Sequence, residues 1–167
     1  MTTKEKRAAH VAAFLLERMM ESSRSVFKTS KEQGEWAELC FMTKAAGMGL
    51  RVVRPFGDSS SYDVGVECGN RILRVQVKST IYQRPGRNSY ALHLHTNNAQ
   101  PYAKGTVDFF AIYLIPLDAG YILPFEMTGK STSLHFTPGG RCEKHKKYRE
   151  AWDLLKAAPT LPSQVLS

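Results

Sequence analysis

Cysteine is scarce in this chain, with three residues in 167, at Cys40, Cys68 and Cys142. An odd, widely spaced set builds neither a disulfide framework nor a thiolate zinc site, and it suits a reducing, cytoplasmic setting. Long apolar runs are missing too. The stretch Phe109 to Leu117 is far short of the roughly 20 residues that span a bilayer, so no membrane partner is expected. Residues 1–30 lack the continuous apolar core and cleavage site of a secretory leader. No internal repeat and no low-complexity segment occurs. The most telling shortage is of negative charge. From Cys68 to Val107 there is no Asp or Glu, while Arg71, Arg74, Lys78, Arg84, Arg87 and Lys104 all fall in that span. Charge runs are usually solvated surface. An acid-free span of about 40 residues in a chain of net charge +8 points instead to a polyanionic partner, with nucleic acid the first choice.

What is present centres on residues 62–78, YDVGVECGNRILRVQVK. Val64, Val66, Leu73, Val75 and Val77 occupy alternate positions, which is strand periodicity, and Gly69-Asn70 between them is a turn dipeptide. A two-residue turn pairs Cys68 with Arg71. Counting back along both strands sets Asp63 opposite Gln76, and cross-strand partners share a face with Cβ atoms about 5 Å apart. Lys78 lies two residues further along that face. A carboxylate, an amide and an ammonium therefore converge at one end of a hairpin, backed by valines, as in a metal-dependent hydrolytic site. Many hairpins carry Asp, Gln and Lys on a solvated face with no chemistry, so the upstream acids matter.

Those acids stand on a helix expected from about Ser30 to Ala46. Ser30 is placed as N-cap with Gln33 completing a capping box, and Gly47 and Gly49 end the helix. Trp36, Leu39, Cys40 and Thr43 mark its expected buried stripe. Glu35 and Glu38 are three apart and close on its surface. Gly34, one turn before Glu38, is small enough to let the helix approach a sheet. Leu50 to Val53 reads as a first strand, and Pro55 to Ser61 as a loop leading to Asp63.

A glutamate-bearing helix, a strand, an Asp-bearing strand and a strand ending in (Glu/Gln)-x-Lys follow one another in this order. The set resembles the PD-(D/E)xK nuclease superfamily. The stretch GEWAELCFMTKAAGMGLRVVRPFGDSSSYDVGVECGNRILRVQVKST is most similar to the branch that includes group I intron-encoded (homing) endonucleases, where "yD" and "VQVK" replace "PD" and "E-x-K". The resemblance extends to VDFFAIYLIPLDAGYILP and, more loosely, KYREAWDLL, covering roughly residues 33 to 156. It implies an α/β fold with a restriction-endonuclease-like core, a mixed sheet of five or six strands flanked by helices. It implies an Mg²⁺- or Mn²⁺-dependent endodeoxyribonuclease in which Asp63 is the central metal ligand and Gln76 takes the second ligand position. Lys78 would position or activate the attacking water, and Glu38 would contribute from the helix. Tyr62 in place of the motif proline changes little. Gln76 in place of an acid matters more, because an amide oxygen ligates Mg²⁺ without neutralising it. A non-catalytic DNA-binding module stays open on that ground, as does a Holliday-junction resolvase or a restriction-type nuclease built on the same core.

The chain length suits one domain. The expected division is an N-terminal helical extension over 1–30, a nuclease domain over 31–158 and a tail over 159–167. Val11, Phe14, Leu15, Arg18 and Met19 suggest an amphipathic helix in the extension. DNA contacts are assigned to Arg74, Arg84, Arg87 and Lys104, the middle two on the loop Arg84-Pro-Gly-Arg87. A homodimer or larger homo-oligomer is expected, since cutting both strands commonly needs two sites. Tyr90 to Thr96, Val107 to Ile115 and Tyr121 to Phe125 read as strands, and 97–104 as a short helix or loop. Glu143 to Ala157 reads as a final helix with Tyr148, Trp152 and Leu155 inward. His93 and His95 share a face but lack a third ligand at a telling spacing.

Overall fold

The computed structural model describes residues 27–156 except 58, 97–98 and 129–130; the expected extension and tail lie largely outside them. Helix α1 (Ser30–Gly47) precedes strands β1 (Arg51–Val53), β2 (Val64–Cys68), β3 (Arg71–Thr80), β4 (Tyr90–His93), β5 (Phe109–Leu114), β6 (Ala119–Pro124) and β7 (Ser133–Phe136). Five strands form one mixed sheet in the order β1-β2-β3-β5-β6, parallel only between β3 and β5. The β4–β7 antiparallel pair is a separate ribbon. Among the described residues no helix is long and apolar enough to cross a membrane.

The β2–β3 hairpin has the register the turn dictates. Cys68 pairs with Arg71 and Val64 with Val75. Gly69, at the first turn position, has φ +59, the conformation a type II′ hairpin turn requires and the one glycine adopts freely. Valines of both strands face α1, so the alternate residues Gln76 and Lys78 face the other way, toward the ribbon. On that same face Gly65 leaves room for its neighbours: a Cβ there would sit 2.6 Å from Val53 Cγ2 and 2.7 Å from Ile72 Cγ2.

Two cores sandwich the sheet. Phe41, Val64, Val66, Leu73, Val75, Val77 and Trp152 pack on the α1 side. Tyr90, Phe110, Ile112, Tyr121, Leu134 and Phe136 pack on the ribbon side. Residues of β5 alternate between the two, which is why that strand reads as a continuous apolar run.

The helix corrects several expectations. Thr29, not Ser30, is the N-cap, accepting from Glu32 N–H, while the Glu32 carboxylate accepts from Lys28 N–H at 2.7 Å. Gln33 is thereby freed to bind the sheet, donating to Ser79 Oγ and Ser79 O at 3.0 and 3.2 Å. The buried stripe is Ala37, Phe41 and Ala45, with two alanines letting the helix settle on the valine layer. Leu39 and Thr43 face solvent. Trp36 lies at the flank, against Tyr113 and Phe27. Gly34 has open space around it and permits no close approach.

The final helix does not form. Two short 3-10 turns, Lys146–Tyr148 and Trp152–Leu155, flank a break at Arg149-Glu150. Glu150 has φ +50, its N–H donates to Gly120 O at 2.9 Å, and its carboxylate accepts from Gly120 N–H and Trp152 Nε1. Pairing with the free edge of β6 outcompetes continuation of the helix. No helix forms in the described part of 97–104, and β7 has no counterpart among the strands expected from the sequence.

Candidate active site

Asp63 stands just before β2, where the β2–β3 ladder ends. Its Oδ2 accepts the backbone N–H of Val77 at 2.8 Å and the Nε2 of Gln76 in a short hydrogen bond. No described residue donates to Asp63 Oδ1 or Gln76 Oε1. Among the described residues the only fully buried side-chain polar atom lacking a partner is Ser89 Oγ, so these two oxygens are reachable from solvent. Gln76 itself is 8% exposed, held on a strand between two buried valines.

Lys78 continues the same face. Its ammonium lies 5.6 Å from the ring centre of Tyr102. Burial makes the ammonium easier to deprotonate than an exposed lysine, and the Asp63 charge opposes that effect. Asp63 has the converse problem. Burial raises its pKa, against the hydrogen bonds from Val77 and Gln76 and the charges of Lys78 and Arg54. The Tyr102 hydroxyl is pushed up to about 12, by burial first and by Asp63 second.

Of the two helical acids, Glu38 is the one turned toward this cluster. Its side chain is 18% exposed and its Oε2 accepts from Arg54 at 3.1 Å. Burial raises its pKa, and the Asp63 charge adds to the rise, with Arg54 opposing. Glu35 is exposed and 3.9 Å from Lys31. Arg54 and Tyr102 do not stand out in the sequence. Arg54 is marked only as the last charge before Pro55 ends the first strand, whereas Tyr102 sits in an irregular segment with no pattern.

The assigned DNA contacts separate into two kinds. Arg84 and Arg87 are exposed on a turn closed by Arg84 N–H to Ser89 O and Arg87 N–H to Arg84 O, and Lys104 is exposed as well. Arg74 is different and needs correcting. Its Nε and Nη2 bind the two carboxylate oxygens of Asp108 at 3.0 Å, and its Nη1 binds Gly105 O. Asp108 also accepts Arg74 N–H at 2.7 Å, with Arg71 3.7 Å away. That guanidinium is committed to the fold, with Asp108 as its structural partner.

For a metal, the donors present are hard oxygens. Asp63 Oδ1 and Gln76 Oε1 have no donor among the described residues, and Glu38 is a second carboxylate close enough to feel the Asp63 charge. Such a set suits Mg²⁺, which keeps several waters and takes few protein ligands. Among the described residues no three His, Cys, Asp or Glu side chains gather into a fuller site. His93 and His95 have ring centres 5.6 Å apart, tilted by 32°, and gain no third ligand among the described residues.

A family model described as PD-(D/E)XK endonuclease matches residues 28–155. No curated protein matches the chain. The solved structure of I-Ssp6803I, a bacterial homing endonuclease, is similar with a TM-score of 0.66 at 25% identity, covering 77% of this chain and 92% of that one. The Holliday junction resolvase Hjc of the archaeal hyperthermophile Archaeoglobus fulgidus is similar with a TM-score of 0.42 at 17% identity, covering 64% and 84%.

Proposed function

The chain belongs to the PD-(D/E)XK endonucleases, and we propose that it is a divalent-metal-dependent DNA endonuclease of the homing type, with Asp63, Gln76 and Lys78 at its reaction centre and Glu38 in support. The observation that carries this reading is the state of Asp63. One carboxylate oxygen is fixed by Gln76 and Val77, and the other has no donor among the described residues and stands near the half-buried Lys78. Fixing one oxygen aims the other, which is what a ligand or water-positioning carboxylate needs.

Asp63 and Gln76 would hold Mg²⁺ or Mn²⁺, with Glu38 adding negative charge. When bound, the ion supplies an acidified water and offsets charge on the scissile phosphate. Lys78 donates hydrogen bonds to the attacking water or the phosphate oxygens and stabilises charge that develops there. Gln76 keeps Asp63 oriented through its amide N–H. Arg54 offsets part of the Glu38 charge, and Lys78 and Arg54 together offset part of the Asp63 charge. With so few carboxylates, these residues would hold a metal best when a DNA phosphate supplies further negative charge. Arg84, Arg87 and Lys104 grip flanking phosphates and set register. A homodimer would supply the second centre for a double-strand cut.

The test is cleavage of plasmid and branched DNA in Mg²⁺, Mn²⁺ or EDTA. Metal-dependent linear or nicked product is expected. A second reading, a DNA-binding module without catalysis, draws on the neutral Gln76 and the small carboxylate count. It would give salt-sensitive DNA binding with no product in any metal. Preferential cutting of four-way junctions would move the assignment to a resolvase.

A further inference from the structure

Six large apolar side chains remain exposed among the described residues, namely Leu39, Met48, Phe56, Ile72, Tyr82 and Met127. Only Phe56 and Tyr82 are aromatic, and both leave the sheet at the end that carries the candidate site. Strand β1 ends at Val53, paired with Gly65 next to the start of β2, so Phe56 lies on the loop running back to Asp63. Strand β3 continues past Lys78 to Thr80, and Tyr82 follows, its N–H donating to Thr80 Oγ1 at 3.0 Å.

Phe56 is the extreme case, at 102% exposed. Its loop is anchored by Arg54 on Glu38. Gly57, with φ +74, turns the chain beside it. An unsupported phenyl at a loop tip has no packing role within the described fold. Its loop neighbours in the sequence are Arg54, Pro55, Gly57, Asp58 and Ser59 to Ser61. They form no contiguous apolar patch of the kind a protein partner buries. One isolated ring suits a partner that offers one flat π face at a time beside negative charge, which is a nucleobase in a phosphate backbone.

We propose that Phe56 is a base-stacking wedge, inserting against a base step of duplex DNA beside the phosphate presented to Asp63 and Lys78. This rests on the DNA-endonuclease reading. Apolar wedges of this kind partly unstack and unwind the duplex they enter, which gives a readout that does not require knowledge of the target sequence.

The test measures full-length wild type, Phe56→Ala and Phe56→Trp in EDTA, where no cleavage occurs. Fluorescence anisotropy with a labelled mixed-sequence duplex is recorded across a salt series. Phe56→Ala should weaken binding about tenfold. It should leave the slope of log K against log[salt] unchanged, because no charge is removed. Phe56→Trp should bind at least as well as wild type. A relaxed plasmid closed by a metal-independent topoisomerase should change linking number with wild type and Phe56→Trp, and not with Phe56→Ala. Circular dichroism should show all three equally folded, since the ring is fully exposed on the described fold. Superimposable binding lines for wild type and Phe56→Ala would overturn the wedge while leaving the nuclease reading intact. So would a changed sedimentation coefficient in Phe56→Ala with unaltered plasmid unwinding, which would assign the ring to a second copy of the chain. Wild type without salt-sensitive DNA binding would overturn the nuclease reading itself.

Discussion

The Asp63 carboxylate accepts the backbone N–H of Val77 at 2.8 Å, across a hairpin. A side chain thus completes the ladder where β2 has run out, and the same bond points Asp63 along the face that carries Lys78. Mutations there should separate chemistry from folding.

Lys78→Met keeps the stem and deletes the charge. Cleavage should fall at least about a hundredfold. DNA affinity should change only a few-fold, because Lys78 is one cation among many. Binding and cleavage are measured on one preparation, and equal cleavage by both proteins would remove Lys78 from the mechanism.

Gln76 distinguishes a ligand from a bystander. Gln76→Ala should loosen Asp63 and lower Mg²⁺ affinity and activity. Gln76→Glu sets a second carboxylate against Asp63. The apo protein should then melt earlier through repulsion, and Mg²⁺ should raise its melting temperature more than it does for wild type. Calorimetric titration and thermal unfolding with and without metal read both effects. Three identical titrations would remove Gln76 from the site, and a wild type with neither metal affinity nor cleavage would argue for the non-catalytic reading.

Metal affinity should depend on pH in a defined direction. Burial raises the pKa of Asp63 and of Glu38. Both must be ionised to serve as ligands or charge partners. Mg²⁺ affinity should therefore fall on acidification, beginning at higher pH than exposed carboxylates would require. Titrations at a series of pH values check this, and a flat affinity down into the ordinary carboxylate range would contradict it.

Arg74 should behave as a fold residue, and Arg84 and Arg87 as DNA-binding residues. Arg74→Ala should cost about 1 kcal/mol, a modest value because a third of that side chain is exposed. Asp108 gives the pH signature. Its pKa is lowered although burial alone would raise it, because the Arg74 hydrogen bonds and the Arg74 and Arg71 charges outweigh burial. The stabilisation is full above the unfolded-state aspartate pKa and is lost as pH falls through the folded value. Asp108→Asn should flatten that part of the stability profile. In DNA titrations, Arg84→Ala with Arg87→Ala should reduce the salt slope by about one unit for each arginine that neutralises a phosphate, while Arg74→Ala should not.

The hairpin is legible in the sequence because a two-residue turn leaves no freedom of register, and alternating valines fix which face is buried. From those two facts the placement of Asp63, Gln76 and Lys78 follows by counting. The helix is legible in extent and less so in orientation. Its aromatic and sulfur residues suggest one stripe, whereas close approach to the sheet selects the smaller Ala37 and Ala45. The last helix misleads for a different reason. Its apolar spacing is helical, but Gly120 at the β6 edge offers Glu150 bonds that no local pattern reveals. Ribbon pairing of β4 with β7 is invisible for the same cause, since the partners are distant in sequence. Arg74 looks like a surface cation because its acid-free neighbourhood hides Asp108, which stands just beyond the end of that span.

The two ties of Asp63 and Asp108 to β3 also differ in how much chain each must close. Gln76 and Asp63 are 13 residues apart, whereas Arg74 and Asp108 are separated by 34. Loop-closure entropy alone favours the shorter by roughly 0.9 kcal/mol, and the hairpin turn adds to that advantage. The proposed reaction centre is thus expected to form early from local structure, with the parallel pairing of β3 with β5 following it and locked by a half-buried ion pair. In folding kinetics, substitutions around the Gly69 turn should slow folding, whereas loss of the Asp108 clamp should mainly speed unfolding.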